Sequence, residues 1–385
     1  MGLTPRQLNR ATLARQLLLR REPLTVVDAV RRVMALQAQQ AASPYVALWN
    51  RVAGFDPADL DAAFVDRTVV KASLMRITLH AVAAEDYPTF HDAMLSSLRA
   101  ARLYDNRFKA MGLTIAEADA LVPGLVELAS EPRTKAELEA WLEARVGTRP
   151  KPGPWWALRS FAPLLHAPTG GPWSFGTRGS FVAAGKPEPA GDPDNAVQRL
   201  ARRYLEAFGP ATAQDIAQFT LLKRSVARDA LRAMADTLET VEGPDGVELF
   251  DIPGAPLPDY DTPAPPRLMA MWDSALLAYA DRSRVIPPEY RQLVIRRNGD
   301  VLPTLLVDGH VCGVWRAVDD GIEATAFRPL SDDAWQGLAA EAGALVARLA
   351  DREPAVYGRY AHWWSTLPSA EVRVLPGGHR PLAAS

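Results

Sequence analysis

The sequence predicts a helix-rich α+β fold: three tandem units of helices followed by a short hairpin, then a C-terminal antiparallel β element. Two observations carry this expectation. Segments of helical period that close on alternating strands recur along the first two thirds of the chain, and beyond about residue 258 the apolar period shifts from 3.6 to 2. With 385 residues the chain exceeds one typical core, and the composition shifts place boundaries at 1–112, 113–186, 187–258 and 259–385.

The first unit opens with PRQLNRATLARQLLLR and VVDAVRRVMALQAQQ, both of helical period, and ADLDAAFVDR adds a third candidate helix. Strand-like SLMRITLHAVA follows, then a helix around EDYPTFHDAMLSSLRAARLY. In the second unit, LTIAEADALVPGLVELASE, TKAELEAWLEARV and PWWALRSFAPLLHAP read as helices, and Thr134 with Glu137 forms a capping-box pattern at the start of the middle one. The strand-like runs LLHAP and WSFGTRGSFVAA flank Thr169-Gly170-Gly171-Pro172, a hairpin signal, and the Pro- and Gly-rich KPEPAGDPD reads as a linker. The third unit is the clearest. NAVQRLARRYLEAFG stops at Gly209-Pro210, ATAQDIAQFT and SVARDALRAMAD give two more helices with Ser225 placed to cap the last, and TLETVEGPDGVELFDIP alternates around Gly-Pro-Asp-Gly. Three helices and a hairpin is the winged-helix order, whose third helix commonly enters a major groove. Here that helix carries Lys223, Arg224, Arg228 and Arg232. After the Pro-rich connector PGAPLPDYDTPAPPR, turn signals at Asn298-Gly299, Asp308-Gly309 and Asp319-Asp320-Gly321 mark an antiparallel meander, closed by the helix DDAWQGLAAEAGALVARLAD.

Composition narrows the function classes. Hydrophobic residues at 48% and charged residues at 23% are globular values. No run approaches the roughly 18 apolar residues of a membrane span, and the N-terminus lacks a signal-peptide core, so a cytoplasmic protein is expected. The single Cys312 excludes an internal disulfide, and scattered histidines leave no zinc-ligand spacing, so neither metal nor cofactor is expected. The net charge of −2 hides local basic runs: seven Arg against Glu22 and Asp28 in residues 1–32, a cluster over 199–232, and RSRVIPPEYRQLVIRR over 282–297. Arg-rich runs suit phosphate contacts, and a GC-rich genome would produce them as well.

No nucleophile elbow, P-loop, GxGxxG or HExxH motif is present. What stands out is MALQAQQAASPY, where Gln37 and Gln39 lie two apart at the expected end of a helix, before a turn at Ser43-Pro44. On a regular helix they would face about 200 degrees apart, so a shared site requires the helix to end or distort there. By spacing alone, a solvent-exposed helix end is the better account of the pair.

The run VRRVMALQAQQAASPYVALWNRV, followed by MRITLHAVAAEDY and, far downstream, by LLAYADRSRVIPPEY and LPTLLVDGHVCGVWR, resembles the AlkZ and YcaQ family of bacterial DNA glycosylases. The resemblance spans nearly the whole chain, with several separated motifs in order. That family carries Gln-aliphatic-Gln in its AlkZ-like branch and Gln-aliphatic-Asp in its YcaQ-like branch, and this chain reads Gln37-Ala38-Gln39. The resemblance implies a monofunctional glycosylase that removes N7- or N3-alkylated purines from double-stranded DNA, including bulky or cross-linked ones, in repair or in self-resistance to alkylating antibiotics. It implies Gln37 and Gln39 as the catalytic residues.

Two amides suit such a substrate. Alkylation at N7 makes the guanine cationic, so it departs without protonation, and what remains is to hold water and to stabilise an oxocarbenium-like sugar. A glutamine carbonyl does both while being a poor base, which predicts little activity on undamaged DNA. A water nucleophile requires no covalent lysine intermediate, and none of the six lysines has a motif context for one. The resemblance further implies support of the site or DNA contact by Arg76, Thr78 and His80, whose spacing of two puts them on one strand face. It implies groove probing by the tip Asp308-Gly309-His310, and phosphate contact is expected of Arg282 and Arg284. A structural histidine, an ordinary turn and a solvated patch are the respective plain readings. The aromatic residues of PAVYGRYAHWWSTL are expected to pack between domains. Three units in one chain need no dimer, so a monomer is expected. Two other functions fit the pattern: a non-catalytic winged-helix transcription regulator, since that fold more often binds than catalyses, and a small-molecule binder that sequesters a drug.

Overall fold

The computed structural model describes residues 2–185, 193–319 and 321–376. The KPEPAGDPD linker lies largely outside them, as does Asp320 of the third turn signal. The strands are β1 (Leu36–Gln37), β2 (Val69–Ser73), β3 (Leu79–Ala83), β4 (Arg133–Thr134), β5 (Leu164–Ala167), β6 (Ser180–Ala183), β7 (Glu239–Glu242), β8 (Glu248–Asp251), β9 (Arg267–Leu268), β10 (Thr304–Val307), β11 (His310–Val318), β12 (Gly321–Ala326) and β13 (Glu371–Pro376). They form a six-stranded sheet in the order β1-β3-β2-β5-β6-β4, a five-stranded sheet β13-β12-β11-β10-β9, and the hairpin β7-β8. The architecture is the α+β class expected, with no helix among the described residues long and apolar enough to cross a membrane.

The strands of residues 1–112 and 113–186 share one sheet, joined where Lys71 on β2 pairs with His166 on β5. Alternation along β2 and β3 divides their side chains between two cores. Val69 and Ala81 face the core under the C-terminal sheet, whereas Val70, Ala72 and Val82 face the helices of the second and third units. Two-sided burial explains why VVKAS lacks an exposed polar face.

Local chemistry sets most helix starts. Thr4 with Gln7, Thr114 with Glu117, Thr134 with Glu137 and Thr212 with Asp215 each form a reciprocal capping box. In residues 187–258 the helices Pro193–Phe208, Ala213–Thr220 and Arg224–Ala233 precede β7-β8, the order expected there, although the last helix starts after Lys223 without a side-chain cap and Ser225 lies inside it.

Two expectations fail. VVDAVRRVMALQAQQ is helical only over Val26–Arg32; Met34 takes φ 70°, the helix stops, and Leu36–Gln37 pair with β3 instead. SLMRITLHAVA is not one strand: Arg76 and Ile77, at φ 55° and 57°, turn the chain in a tight bend so that it folds into the β2-β3 hairpin.

Candidate active site

Gln37 ends the edge strand β1, held by pairing with His80 and by the Ala38 N–H donating to the Leu79 carbonyl at 2.7 Å. The chain then bends sharply, and the Gln37 Oε1 accepts from the Gln39 backbone N–H at 2.9 Å. The helix has ended at Arg32, well before the pair, and both residues line one cavity of about 460 Å³. Among the described residues, no protein group hydrogen-bonds the Gln39 side chain, so its amide is free to engage a ligand or water.

The rest of the cavity wall is basic. Arg102, Arg159 and Arg359 line it, against one carboxylate, Asp300. Burial, then the neighbouring Arg159 and Arg107, holds the Arg102 guanidinium below its ordinary range, and burial does the same to Arg159. Neither has a carboxylate within ion-pair distance among the described residues, and Arg102 Nε donates to Ser160 Oγ at 2.9 Å. Cations held in this way favour an anion such as a DNA phosphate. Asp300 is oriented by Asn298 Nδ2 and Trp363 Nε1, each donating to its Oδ2 at 2.9 Å. Trp272 and Tyr360 complete the wall in edge contact, 5.6 Å between ring centroids.

Of the three residues expected on one strand face, only Thr78 lines this cavity. Because the chain turns at Arg76, that side chain points toward the third unit and stacks over Phe219 at 4.7 Å. Burial and the nearby Arg282 bring its pKa down to about 9. His80 is fully buried beside it, T-shaped against Phe219, with its Nδ1 at 3.1 Å from the Thr78 carbonyl. Burial, then Arg76, pushes its pKa down to about 3, so the ring is neutral at any physiological pH. Arg76 and His80 therefore brace the β3 strand behind Gln37 rather than meet the cavity.

The cationic residues divide. Lys223, Arg224 and Arg228 are exposed along one helix, as a phosphate-contacting surface requires. Arg284 is engaged by the Pro210 carbonyl at 3.0 Å and lies over the Tyr279 ring, while Arg282 sits half-buried with its Nε unpaired among the described residues. The hairpin tip is held within the chain. The Asp308 carboxylate is clasped by Arg10 and, at 2.7 Å, by Arg6, and a Cβ at Gly309 (φ 78°) would come within 2.5 Å of Asn9 Oδ1. The His310 ring is bonded to the Asp308 carbonyl, and burial lowers its pKa. This tip packs against the N-terminal helix.

Sequence reasoning missed Arg102, Arg159, Trp272, Asp300, Arg359 and Tyr360. Arg359 and Tyr360 belong to PAVYGRYAHWWSTL, expected only to pack; an aromatic cluster carrying an Arg beside a turn signal was the available hint.

The family model described as DNA glycosylase AlkZ-like matches residues 30–348. The interstrand DNA cross-link repair glycosylase of Streptomyces sahachiroi is 28% identical over 339 residues, spanning 81% of this chain and 88% of that protein. The solved structure of Streptomyces sahachiroi DNA glycosylase AlkZ matches with a TM-score of 0.78 at 24% identity, covering 91% of this chain and 98% of that one, a likeness of fold. With most of its length inside the family match, this chain belongs to the AlkZ-like DNA glycosylase family.

Proposed function

We propose that this protein hydrolyses the N-glycosidic bond of alkylated purines in duplex DNA, N7-alkylguanine and N3-alkyladenine first, and that it accepts bulky adducts and interstrand cross-links. The observation that carries the reading is the Gln37-Gln39 bend on the wall of a cavity lined by arginines that have no carboxylate partner among the described residues. The named activity of the Streptomyces sahachiroi relative supports it.

In this reading Gln39 carries the chemistry. Its carbonyl holds the attacking water and turns a partial negative charge toward the sugar as positive charge develops at C1′. Gln37, whose oxygen is committed to the Gln39 N–H, fixes the direction of that amide. Asp300, across the cavity, adds a full negative charge to the same field, while Arg102 and Arg159 anchor flanking phosphates. The base leaves already cationic, no general acid is needed, and an abasic site remains. The protein acts as a cytoplasmic monomer without metal or cofactor.

The direct test is incubation with duplex DNA containing N7-methylguanine, which is expected to yield free base and alkali-labile abasic sites, with none from undamaged duplex. No release, with Gln39→Ala indistinguishable from wild type, leaves only a binding protein. The exposed helix makes a second expected result. Replacing Lys223, Arg224 and Arg228 together by Ala is expected to weaken duplex binding regardless of sequence, and to flatten the log–log salt dependence by roughly 0.9 per lost phosphate contact. An unchanged slope removes this helix from the DNA interface.

A further inference from the structure

A second cavity, of about 620 Å³, opens beside the first; Gln39, Leu79 and Arg359 line both. Each volume is in the roughly 300–1,000 Å³ range of pockets that hold drug-sized groups. Trp173, Phe175 and Lys71 line the second, with polar Thr169, Arg178 and Glu353 also on its wall.

Lys71 is an unusual residue to find there. It sits mid-strand on β2, on the face it shares with Val69, paired with Ala81 on one side and His166 on the other. It is only 5% exposed. Its ammonium lies 4.2 Å from the centre of the Phe175 ring and has no ion-pair or hydrogen-bond partner among the described residues. Burial, with no charge to offset it, brings its pKa down to about 8. Neighbouring His166 is neutral, its pKa pushed to about 3 by burial and then by Lys71 itself, and an imidazole offers a lysine no counter-charge in either protonation state. The nearby carboxylate Glu353 instead accepts from Trp173 Nε1 at 2.5 Å. A buried cation costs free energy unless something pairs with it, and the wall it occupies is that of an open cavity.

We propose that this cavity receives the substituent carried by the damaged base, and that it selects an aromatic group bearing a hydrogen-bond acceptor or a negative charge. Lys71 binds the acceptor, and Phe175 and Trp173 flank the ring. The inference rests on the glycosylase reading, since the substituent must emerge beside Gln39. A backbone phosphate is disfavoured as the group that Lys71 binds: the other cations of the lining, Arg178 and Arg359, are exposed, whereas Lys71 is buried against the Phe175 ring. Lys71 is thus a specificity-determining residue, apart from the hydrolytic amides.

The test uses three duplexes in which guanine carries N7-methyl, N7-benzyl or N7-(4-carboxybenzyl), with base release followed in single turnover at subsaturating enzyme. Wild type is expected to prefer carboxybenzyl over benzyl. Lys71→Met, which keeps the chain length and removes the charge, is expected to lose roughly tenfold on carboxybenzyl, the scale of one charge-assisted hydrogen bond, and to leave N7-methyl release unchanged. That unchanged release is also its folding control. Phe175→Leu is expected to slow both benzylic adducts and spare methyl. Equal effects of Lys71→Met on all three duplexes, or none on any, overturn the proposal while leaving the glycosylase reading intact. No release by wild type from any duplex overturns both.

Discussion

Gln39→Ala lowers single-turnover release of N7-methylguanine by about 100-fold, with duplex binding nearly unchanged; this is the expected result of removing one preorganised dipole aimed at the reacting sugar. Gln37→Ala is expected to cost a similar factor for a different reason. It removes the acceptor that fixes the Gln39 backbone at 2.9 Å, so the Gln39 amide loses its direction. Two substitutions separate these roles. Gln37→Glu keeps an oxygen at the same reach, so it is expected to hold the bend and retain most of the activity that Gln37→Ala loses; Gln39→Glu places a full charge on the water and changes the pH dependence. The double Ala variant should be little worse than the worse single variant, because the two side chains act as one unit. Independent, multiplying losses would show that Gln37 contacts substrate by itself. Wild-type rates from both Ala variants would show that hydrolysis is done elsewhere in the cavity, with Asp300 the first residue to examine.

What the sequence revealed of this site was its near half. Gln37 and Gln39 lie two apart, Thr78 directly precedes the β3 strand that pairs with Gln37, and the capping pairs and Gly-marked turns that frame the fold are local signals. Thr134 with Glu137, and the Gly243–Gly246 turn, were readable for that reason. The bend at Arg76 was not. It uses two left-handed residues with no glycine or asparagine, a conformation that only tertiary packing stabilises, and it moved Arg76 and His80 off the face their spacing implied. Likewise Trp272, Asp300, Arg359 and Tyr360 come more than 230 positions from Gln37, and no local period reports such an approach. Charge was the most misleading signal. The seven arginines of residues 1–32 suggested a polyanion surface, yet Arg10 and Arg15 are fully buried, and Arg21 pairs with Glu341 at 2.6 Å. A sequence shows the sign of a charge and not its partner.

Arg15 provides the largest expected loss of stability. Its guanidinium forks onto both oxygens of Asp251, at 2.6 and 2.8 Å, and donates to the carbonyl of Leu205 at 3.0 Å, with the Arg15 side chain 0% and Asp251 7% exposed. The pair joins the N-terminal helix to the hairpin of the third unit. Arg15→Ala leaves the Asp251 carboxylate buried without its cation, and is expected to cost about 3–5 kcal/mol. Replacing both partners by apolar residues of similar size, Arg15→Met with Asp251→Leu, should recover much of that loss, because it removes the desolvated charge together with its counter-ion. Gly209 tests the same site from its other side. A Cβ there would lie 2.6 Å from Arg15 Nη1, Asp251 Oδ1 and the Leu205 carbonyl, so Gly209→Ala is expected to push the fork apart and destabilise by about 1–3 kcal/mol. Urea unfolding followed by tryptophan fluorescence reads all of these. In the Arg15→Ala background, Gly209→Ala should cost somewhat less, since one of the three groups it strikes is gone. Full additivity of the two losses would show that the glycine is needed for something other than this ion pair.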